Sequence, residues 1–149
     1  MSAGIEPIQS TCGWKTLLLS FGPLTTTYPG ACLCGQVQFA IAPPTKWCAH
    51  CHCTMCQRAH GAGFVTWVGV PEPQFHIVAG RDSVQWYASS PDARRGFCRH
   101  CGSSLFFRSG RWPGEIHVAR ANVPGAIDRE PEGDVNTDTR AAWLPVRGV

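Results

Sequence analysis

The sequence predicts a mostly β domain of short strands that bound metal ions hold together. Three observations predict this fold class. Several segments alternate apolar and polar side chains with the period of a half-buried strand. Glycine and proline interrupt these segments throughout, with 16 glycines and 12 prolines in 149 residues. Eight of the nine cysteines fall between residues 32 and 101, in clusters with the spacing of metal sites.

Residues 1–28 are predicted to form an irregular extension, because they show no amphipathic period. Glycines and prolines such as Gly4, Pro7 and Gly22 interrupt them. Cys12 lies in this region outside every cysteine motif, and we expect no role for it. Residues 29–145 are predicted to form one domain, since a chain of 149 residues suits a single hydrophobic core.

Strands are predicted wherever the alternation is clear, and only one short helix is predicted, over residues 54–59. Pro43 and Pro44 end the first alternating segment, and Gly80 begins a turn between two later ones. The tail, residues 127–140, is acidic and polar. The predicted strands cover residues 36–41, 46–49, 63–70, 74–78, 84–88, 103–108 and 115–120.

Composition argues against two classes of protein. With 44% hydrophobic and 15% charged residues, the chain resembles neither a disordered protein nor a membrane span. The apolar run at residues 17–19 is too short for the hydrophobic part of an export signal. We therefore expect a cytoplasmic protein, in which the central cysteines stay reduced and bind metal instead of pairing as disulfides.

Two cysteine pairs predict a closed structural zinc site. Cys98 and Cys101 form one knuckle, Cys32 and Cys34 form another, and a glycine follows each pair. A glycine can adopt the positive φ that lets the backbone wrap an ion. Because one knuckle supplies only two ligands, we expect the two pairs to share one tetrahedral zinc. Its loss should unfold the domain.

A third cluster predicts a catalytic zinc site. Cys51, Cys53 and Cys56 supply three thiolates within six residues, and three protein ligands leave a fourth position for water or substrate. The alternative is a second closed site. Its fourth ligand would be Cys48, which has knuckle spacing to Cys51, or a histidine from the set His50, His52, His60 and His100.

The motifs in this order are Gly30-x-Cys32-x-Cys34-Gly35-x-Val37, Cys51-His52-Cys53-x-x-Cys56-x-Arg58, Gly61-x-x-Phe64 and Phe97-Cys98-x-x-Cys101-Gly102-Ser103-x-Leu105. Together they resemble the glutathione-dependent formaldehyde-activating enzyme family, also called the centromere protein V domain family. The resemblance spans roughly residues 28–145. It departs from the family at residues 131–135, which lack a histidine that members commonly carry before the terminal tryptophan.

The resemblance implies an Mss4-like fold of coiled antiparallel β-sheets with two zinc ions per chain. It assigns the structural zinc to Cys32, Cys34, Cys98 and Cys101, and the catalytic zinc to Cys51, Cys53 and Cys56. The implied activity is condensation of glutathione with formaldehyde to S-hydroxymethylglutathione, formally a carbon–sulfur lyase reaction. The implied partners are thus a small-molecule thiol and an aldehyde.

Four arginines near the cysteine motifs are candidates for binding the carboxylates of such a thiol: Arg58, Arg94, Arg95 and Arg99. Arg58 is the predicted substrate-binding residue, because it follows Cys56 by two positions. The alternative function is a non-enzymatic zinc-binding module that contacts nucleic acid or protein through the basic stretch around residues 94–111. The net charge of only +3 and the acidic tail argue against nucleic acid.

Overall fold

The computed structural model describes residues 26–144, which form ten short strands and one α-helix. The strands are β1 (Tyr28–Ala31), β2 (Gln38–Ile41), β3 (Trp47–Cys51), β4 (Val65–Pro71), β5 (Phe75–Ala79), β6 (Val84–Ser90), β7 (Ala93–Cys98), β8 (Ser104–Ser109), β9 (Glu115–Ala119) and β10 (Asp134–Val135). The helix α1 spans Thr54–His60, between β3 and β4. Short 3-10 turns cover Glu72–Gln74, Arg81–Ser83, Arg120–Asn122 and Thr137–Thr139.

The strands form two sheets. The smaller sheet has the order β1-β2-β5, and the larger has the order β10-β3-β4-β9-β8-β7-β6. Neighbouring strands are antiparallel except for β10, which pairs parallel with β3. The mostly β fold class predicted from the alternation is confirmed.

The main hydrophobic core lies between the two sheets. Phe39 and Phe75 of the smaller sheet pack against Phe106 of the larger one, with ring centroids 5.2 Å and 5.0 Å from that of Phe106. The side chains of Cys32 and Cys98 belong to the same buried cluster. The predicted structural site therefore lies at the margin of the main core, where it can fix one sheet against the other.

A second, smaller apolar cluster involves the other face of the larger sheet. Trp67 pairs with Ala119 in this cluster, whereas the adjacent residues Val68 and Val118 pair in the main core. Successive side chains of a strand point to opposite faces, which accounts for the division. Cys51 and Cys56 belong to the smaller cluster. The sheet thus separates the two predicted metal sites.

Three strands were not predicted from the sequence. In β7 the buried residues Ala93, Gly96 and Cys98 alternate irregularly with arginines, which conceals the period. The two residues of β10 are too few to show a period, and β1 contains Pro29 and Gly30.

The first predicted region falls almost wholly outside the described residues. Of the extension assigned to residues 1–28, only the last three are described, and the last of them begins β1. Cys12 lies outside the described residues as well. Within residues 26–144, no helix combines the length and apolar character needed to cross a membrane.

Candidate metal centres

The first cysteine cluster joins two knuckles that are far apart in sequence. Its four sulfur atoms lie within 4.8 Å of one another, and they belong to Cys32, Cys34, Cys98 and Cys101. Gly35 and Gly102 take φ angles of 76° and 73°, as the sequence predicted for residues that turn the chain around an ion. The backbone N–H of Gly102 donates to the carbonyl of Cys98, which closes the second knuckle.

The sulfur spacing fits a tetrahedral zinc. A zinc ion with Zn–S bonds of about 2.3 Å places its sulfur ligands about 3.8 Å apart. Cys34 Sγ lies 3.8 Å from Cys98 Sγ and 3.5 Å from Cys32 Sγ. These separations are far longer than a disulfide bond of about 2 Å. The cluster is a set of free thiols arranged as metal ligands are.

Burial and hydrogen bonds move the pKa values of these thiols in different directions. Burial raises the pKa of Cys32 to about 12, against the lowering effect of the Val37 backbone N–H. Although burial also raises the pKa of Cys101, hydrogen bonds from Ser103 outweigh it and lower that pKa to about 6. Metal binding requires all four thiolates, so zinc must displace the protons that the buried thiols hold.

The second cluster is formed where β3 ends and α1 begins. The sulfur atoms of Cys51, Cys53 and Cys56 lie within 4.8 Å of one another. Cys53 is the N-cap of α1, and its Sγ accepts a hydrogen bond of 3.3 Å from the backbone N–H of Cys56. The helix turn thereby brings Cys56 back over Cys53, so three thiols meet within one short segment.

Two side chains from distant segments donate to this cluster. Asn136 Nδ2 lies 3.2 Å from Cys51 Sγ, and the Arg95 Nη1 and Nη2 atoms lie 3.7 Å and 3.8 Å from Cys56 Sγ. A hydrogen bond from Cys56, with others from Cys53 and Asn136, lowers the pKa of Cys51 to about 5 against its burial. The same pairing raises the pKa of Cys56. These hydrogen bonds thus favour the thiolate form of Cys51 over that of Cys56.

Cys48 lies on the opposite side of β3 from this cluster. Its side chain is fully buried in the main core, whereas Cys51 belongs to the smaller cluster. An odd separation of three positions along a strand turns two side chains to opposite faces. Cys48 and Cys51 therefore do not form a knuckle, because they lie on the strand β3 and not on a turn.

No histidine completes the second cluster within residues 26–144. In this part of the chain no histidine, aspartate or glutamate places a ligand atom in the group of Cys51, Cys53 and Cys56. His52 is 2% exposed and turns its Nε2 to Asp134 Oδ1, at 2.6 Å. The hydrogen bond from His52 lowers the pKa of the Asp134 carboxyl.

The acidic tail forms hydrogen bonds with the segment that carries the second cluster. β10 pairs with His50 and Cys51, and the Thr139 hydroxyl donates to the carbonyl of His52 at 3.1 Å. Gln57 of α1 donates to the same carbonyl and to that of Thr139. This role was not predictable from the sequence, since a polar tail with two strand residues resembles any solvated segment.

Arg58, the predicted substrate-binding residue, lies exposed on α1. Its side chain forms no hydrogen bond or ion pair with any described residue. Arg95 of β7 is instead the arginine that contacts the cluster. Spacing along the chain pointed to Arg58, while strand pairing brings Arg95 to the same thiols from 39 residues away.

Two clefts flank the end of α1, and His60 lines both of them. The larger, of about 530 Å³, shares Val65 and Ala119 with the second cluster's apolar surroundings. The smaller, of about 320 Å³, is lined by Arg95. No cysteine lines either cleft. Burial, aided by Arg95, lowers the pKa of His60 to about 4, so this histidine is neutral at pH 7.

Comparison with known proteins identifies one family. The sequence model of the family described as glutathione-dependent formaldehyde-activating enzyme matches residues 27–142. A Halomonas elongata protein whose name carries the same description is 27% identical over 109 residues, which cover 69% of each chain. A Schizosaccharomyces pombe protein described as an uncharacterized lyase is 34% identical over 82 residues, 54% of this chain and 56% of that protein.

A solved structure of a Rhodobacter sphaeroides protein matches the fold, with a TM-score of 0.57. The match covers 67% of this chain and 91% of that one, at 23% identity. At this identity the similarity concerns the arrangement of strands alone.

Proposed function

The chain belongs to the glutathione-dependent formaldehyde-activating enzyme family, and from this premise we propose that it is a zinc-dependent carbon–sulfur lyase. Its substrates would be a glutathione-like thiol and a small aldehyde such as formaldehyde. The family match and the structural neighbour also confirm the Mss4-like fold that the resemblance implied. The proposal includes one domain over residues 29–145 and a cytoplasmic location, where thiols stay reduced.

The observation that carries the proposal is the difference between the two cysteine clusters. The first gathers four thiols and the second three, with no fourth protein donor among residues 26–144. Four thiolates saturate a tetrahedral zinc, whereas three leave a position for a ligand from solution. The chain thus has the ligands for one structural and one catalytic ion, two zinc ions in all.

Zinc held by Cys51, Cys53 and Cys56 would supply a vacant position where an incoming thiol is deprotonated. The chain's own residues would stabilise the negative charge of the sulfur atoms and exclude water from the site. Asn136 and Arg95 donate to the cluster's sulfur atoms and stabilise their negative charge. Trp67 and Val65, 4% and 6% exposed, exclude water on the core side, which strengthens these interactions.

The proposed reaction is an addition that involves no oxidation or reduction. The thiol sulfur attacks the aldehyde carbon, a carbon–sulfur bond forms and the carbonyl π bond breaks. The electron pair of that bond moves to the oxygen, which takes up the proton that the thiol lost. With formaldehyde the product is an S-hydroxymethyl thioether of the thiol, and the reverse reaction is the elimination for which lyases are named.

The alternative, a zinc module that contacts nucleic acid, finds less support in the placement of its arginines. Arg94 and Arg95 point to opposite faces of β7, so they do not share one basic surface. Arg108 pairs with Glu72 at 3.3 Å, and Arg99 donates to Gln85. A stretch that is basic in sequence is therefore divided in space.

The function is tested with zinc-loaded full-length protein, glutathione and carbon-13 formaldehyde. Because thiols and formaldehyde also combine spontaneously, the exchange rate between free and sulfur-bound formaldehyde is followed by NMR at equilibrium. We expect the native protein to accelerate this exchange in proportion to its concentration, and heat-denatured protein to have no effect. Exchange at the uncatalysed rate across a panel of thiols and aldehydes, with both sites loaded, would contradict the proposed activity.

A further inference from the structure

Arg95 is held in a fixed position beside the second cysteine cluster. On β7 it lies in register between Tyr87 of β6 and Phe107 of β8. Its guanidinium lies 5.0 Å from the centroid of the Phe107 ring, and both Nη atoms reach Cys56 Sγ within 3.8 Å. The cation–π contact with the ring and the two contacts with sulfur restrain the guanidinium beside the cluster.

Arg95 has no acidic partner among residues 26–144. Several other arginines in this part of the chain are paired with protein groups: Arg108 with Glu72, Arg129 with Glu132, Arg140 with Asp134, and Arg120 with the carbonyls of Val123 and Gly125. Arg95 is only partly exposed, unlike Arg58 and Arg94. The contacts with Cys56 Sγ use only part of its five N–H donors, so this partly exposed cation keeps donors for an anion from elsewhere.

Arg95 lines the cleft of about 320 Å³. Its lining includes Arg95, His60, Tyr87 and Ser104, and Arg95 is the one lining residue with a full charge at pH 7. Tyr87 adds a neutral hydroxyl, whereas the Ser104 hydroxyl already donates to the carbonyl of Ala59. The cleft thus offers an anion one strong partner, within a few ångströms of the thiol of Cys56.

We propose that Arg95 binds the carboxylate of an anionic thiol in this cleft, and that it sets a preference for acidic thiols in place of Arg58. This inference rests on the proposed function, because it assumes that the thiol's sulfur reaches the second cluster. A planar guanidinium matches a carboxylate with two parallel hydrogen bonds. Since Arg95 also contacts Cys56, the bound acid group would lie close to the site of sulfur attack.

The test compares two thiols of similar length, 3-mercaptopropionate with its carboxylate and 3-mercapto-1-propanol with a neutral hydroxyl. Both are titrated calorimetrically into zinc-loaded full-length protein without aldehyde, so the readout does not depend on turnover. KM and kcat are then measured with formaldehyde for each thiol. The variants are Arg95→Gln, Arg95→Lys and Arg58→Gln, with Arg94→Gln as the matched control that loses the same charge from the opposite face of β7.

We expect the native protein to bind the acidic thiol at least about tenfold more tightly than the alcohol. Arg95→Gln should weaken binding of the acidic thiol about ten- to a hundredfold, the usual effect of a lost charge-assisted hydrogen bond. Binding of the alcohol should change little. Arg95→Lys should retain part of the preference because it keeps the charge, and Arg94→Gln and Arg58→Gln should retain all of it.

Three results would overturn the assignment to Arg95. The first is that Arg95→Gln and Arg95→Lys weaken binding of both thiols equally while the zinc content is unchanged. The second is that Arg58→Gln loses the preference for the acidic thiol. The third is that the native protein binds both thiols equally. In each case the proposed function survives, since thiols still bind. If zinc-loaded native protein binds neither thiol, both the inference and the proposed function fail.

Discussion

Replacement of Cys101 by serine is expected to unfold the domain. A serine hydroxyl is a poor zinc ligand, and structural zinc contributes on the order of 10 kcal/mol or more to folding. That contribution is comparable with the whole stability of a small domain, about 5 to 15 kcal/mol. We expect the Cys101→Ser protein to carry at most one zinc ion and to lose its far-ultraviolet circular dichroism signal or its cooperative thermal transition.

Cys48→Ser is the matched control, because it makes the same chemical change at a more deeply buried position. Cys48 is fully buried outside both clusters, and Cys101 is only partly buried. A hydroxyl buried without a partner costs about 1 to 3 kcal/mol. If packing alone mattered, Cys48→Ser would be the more harmful change. An equal or larger loss of stability in Cys48→Ser would thus show that Cys101 holds no structural ion.

Replacement of Cys53 by serine is expected to abolish activity while the fold persists. Serine is a favoured N-cap, so its hydroxyl can replace Cys53 Sγ as acceptor for the backbone N–H of Cys56. The second cluster, however, loses one of three thiolates. Mutation of a group that only orients a zinc ligand lowers metal affinity or activity about 10- to 100-fold. Loss of a ligand itself should therefore lower the activity at least about a hundredfold.

This change is measured by zinc content, thermal midpoint and the rate of thiol–formaldehyde exchange. We expect about one zinc ion per chain, a midpoint within a few degrees of the native protein and an exchange rate near background. Thr54→Ala, next to Cys53 and exposed, is the control and should keep two ions and full activity. Unfolding of Cys53→Ser to the same degree as Cys101→Ser would indicate two structural sites and no catalytic one.

Local patterns in the sequence accounted for most of the larger elements. The apolar period of residues 36–41 and 115–120 corresponds to β2 and β9, with ends displaced by one or two residues. Strand β7 escaped because each face of its residues 93–98 carries an arginine, which breaks the apolar alternation. The parallel pair of β10 with β3 joins residues more than 80 positions apart, and no local period reports such a contact.

The cysteine clusters were predictable because metal ligands are supplied by local turns. The four thiols of the two knuckles lie close together as expected, and so do the three thiols of the second cluster at the start of α1. The choice between an open and a closed second cluster required the fold. Cys48 and Cys51 have the spacing of a knuckle. The segment between them is a strand and not a turn because it pairs with β4, and that pairing is not visible in the local sequence.

Of the residues that donate to the second cluster, Asn136 was not identified from the sequence, and Arg95 was only one of four candidate arginines near the motifs. Asn136 and Arg95 lie 85 and 39 positions away from the thiols they contact. Nothing distinguishes either residue from its polar neighbours until the strands are paired. Arg58 was favoured because it lies two residues from Cys56 in the sequence. A linear sequence shows such proximity along the chain but not the contacts made by strand pairing.

The central claim is that the second ion keeps one position free for a thiol, and X-ray absorption at the zinc edge measures this directly. Seven protein sulfurs shared by two ions predict an average of about 3.5 sulfur neighbours per zinc. Addition of saturating glutathione should raise that average to about four. An average of four before any thiol is added, unchanged afterwards, would mean that protein ligands enclose both ions and would contradict the account.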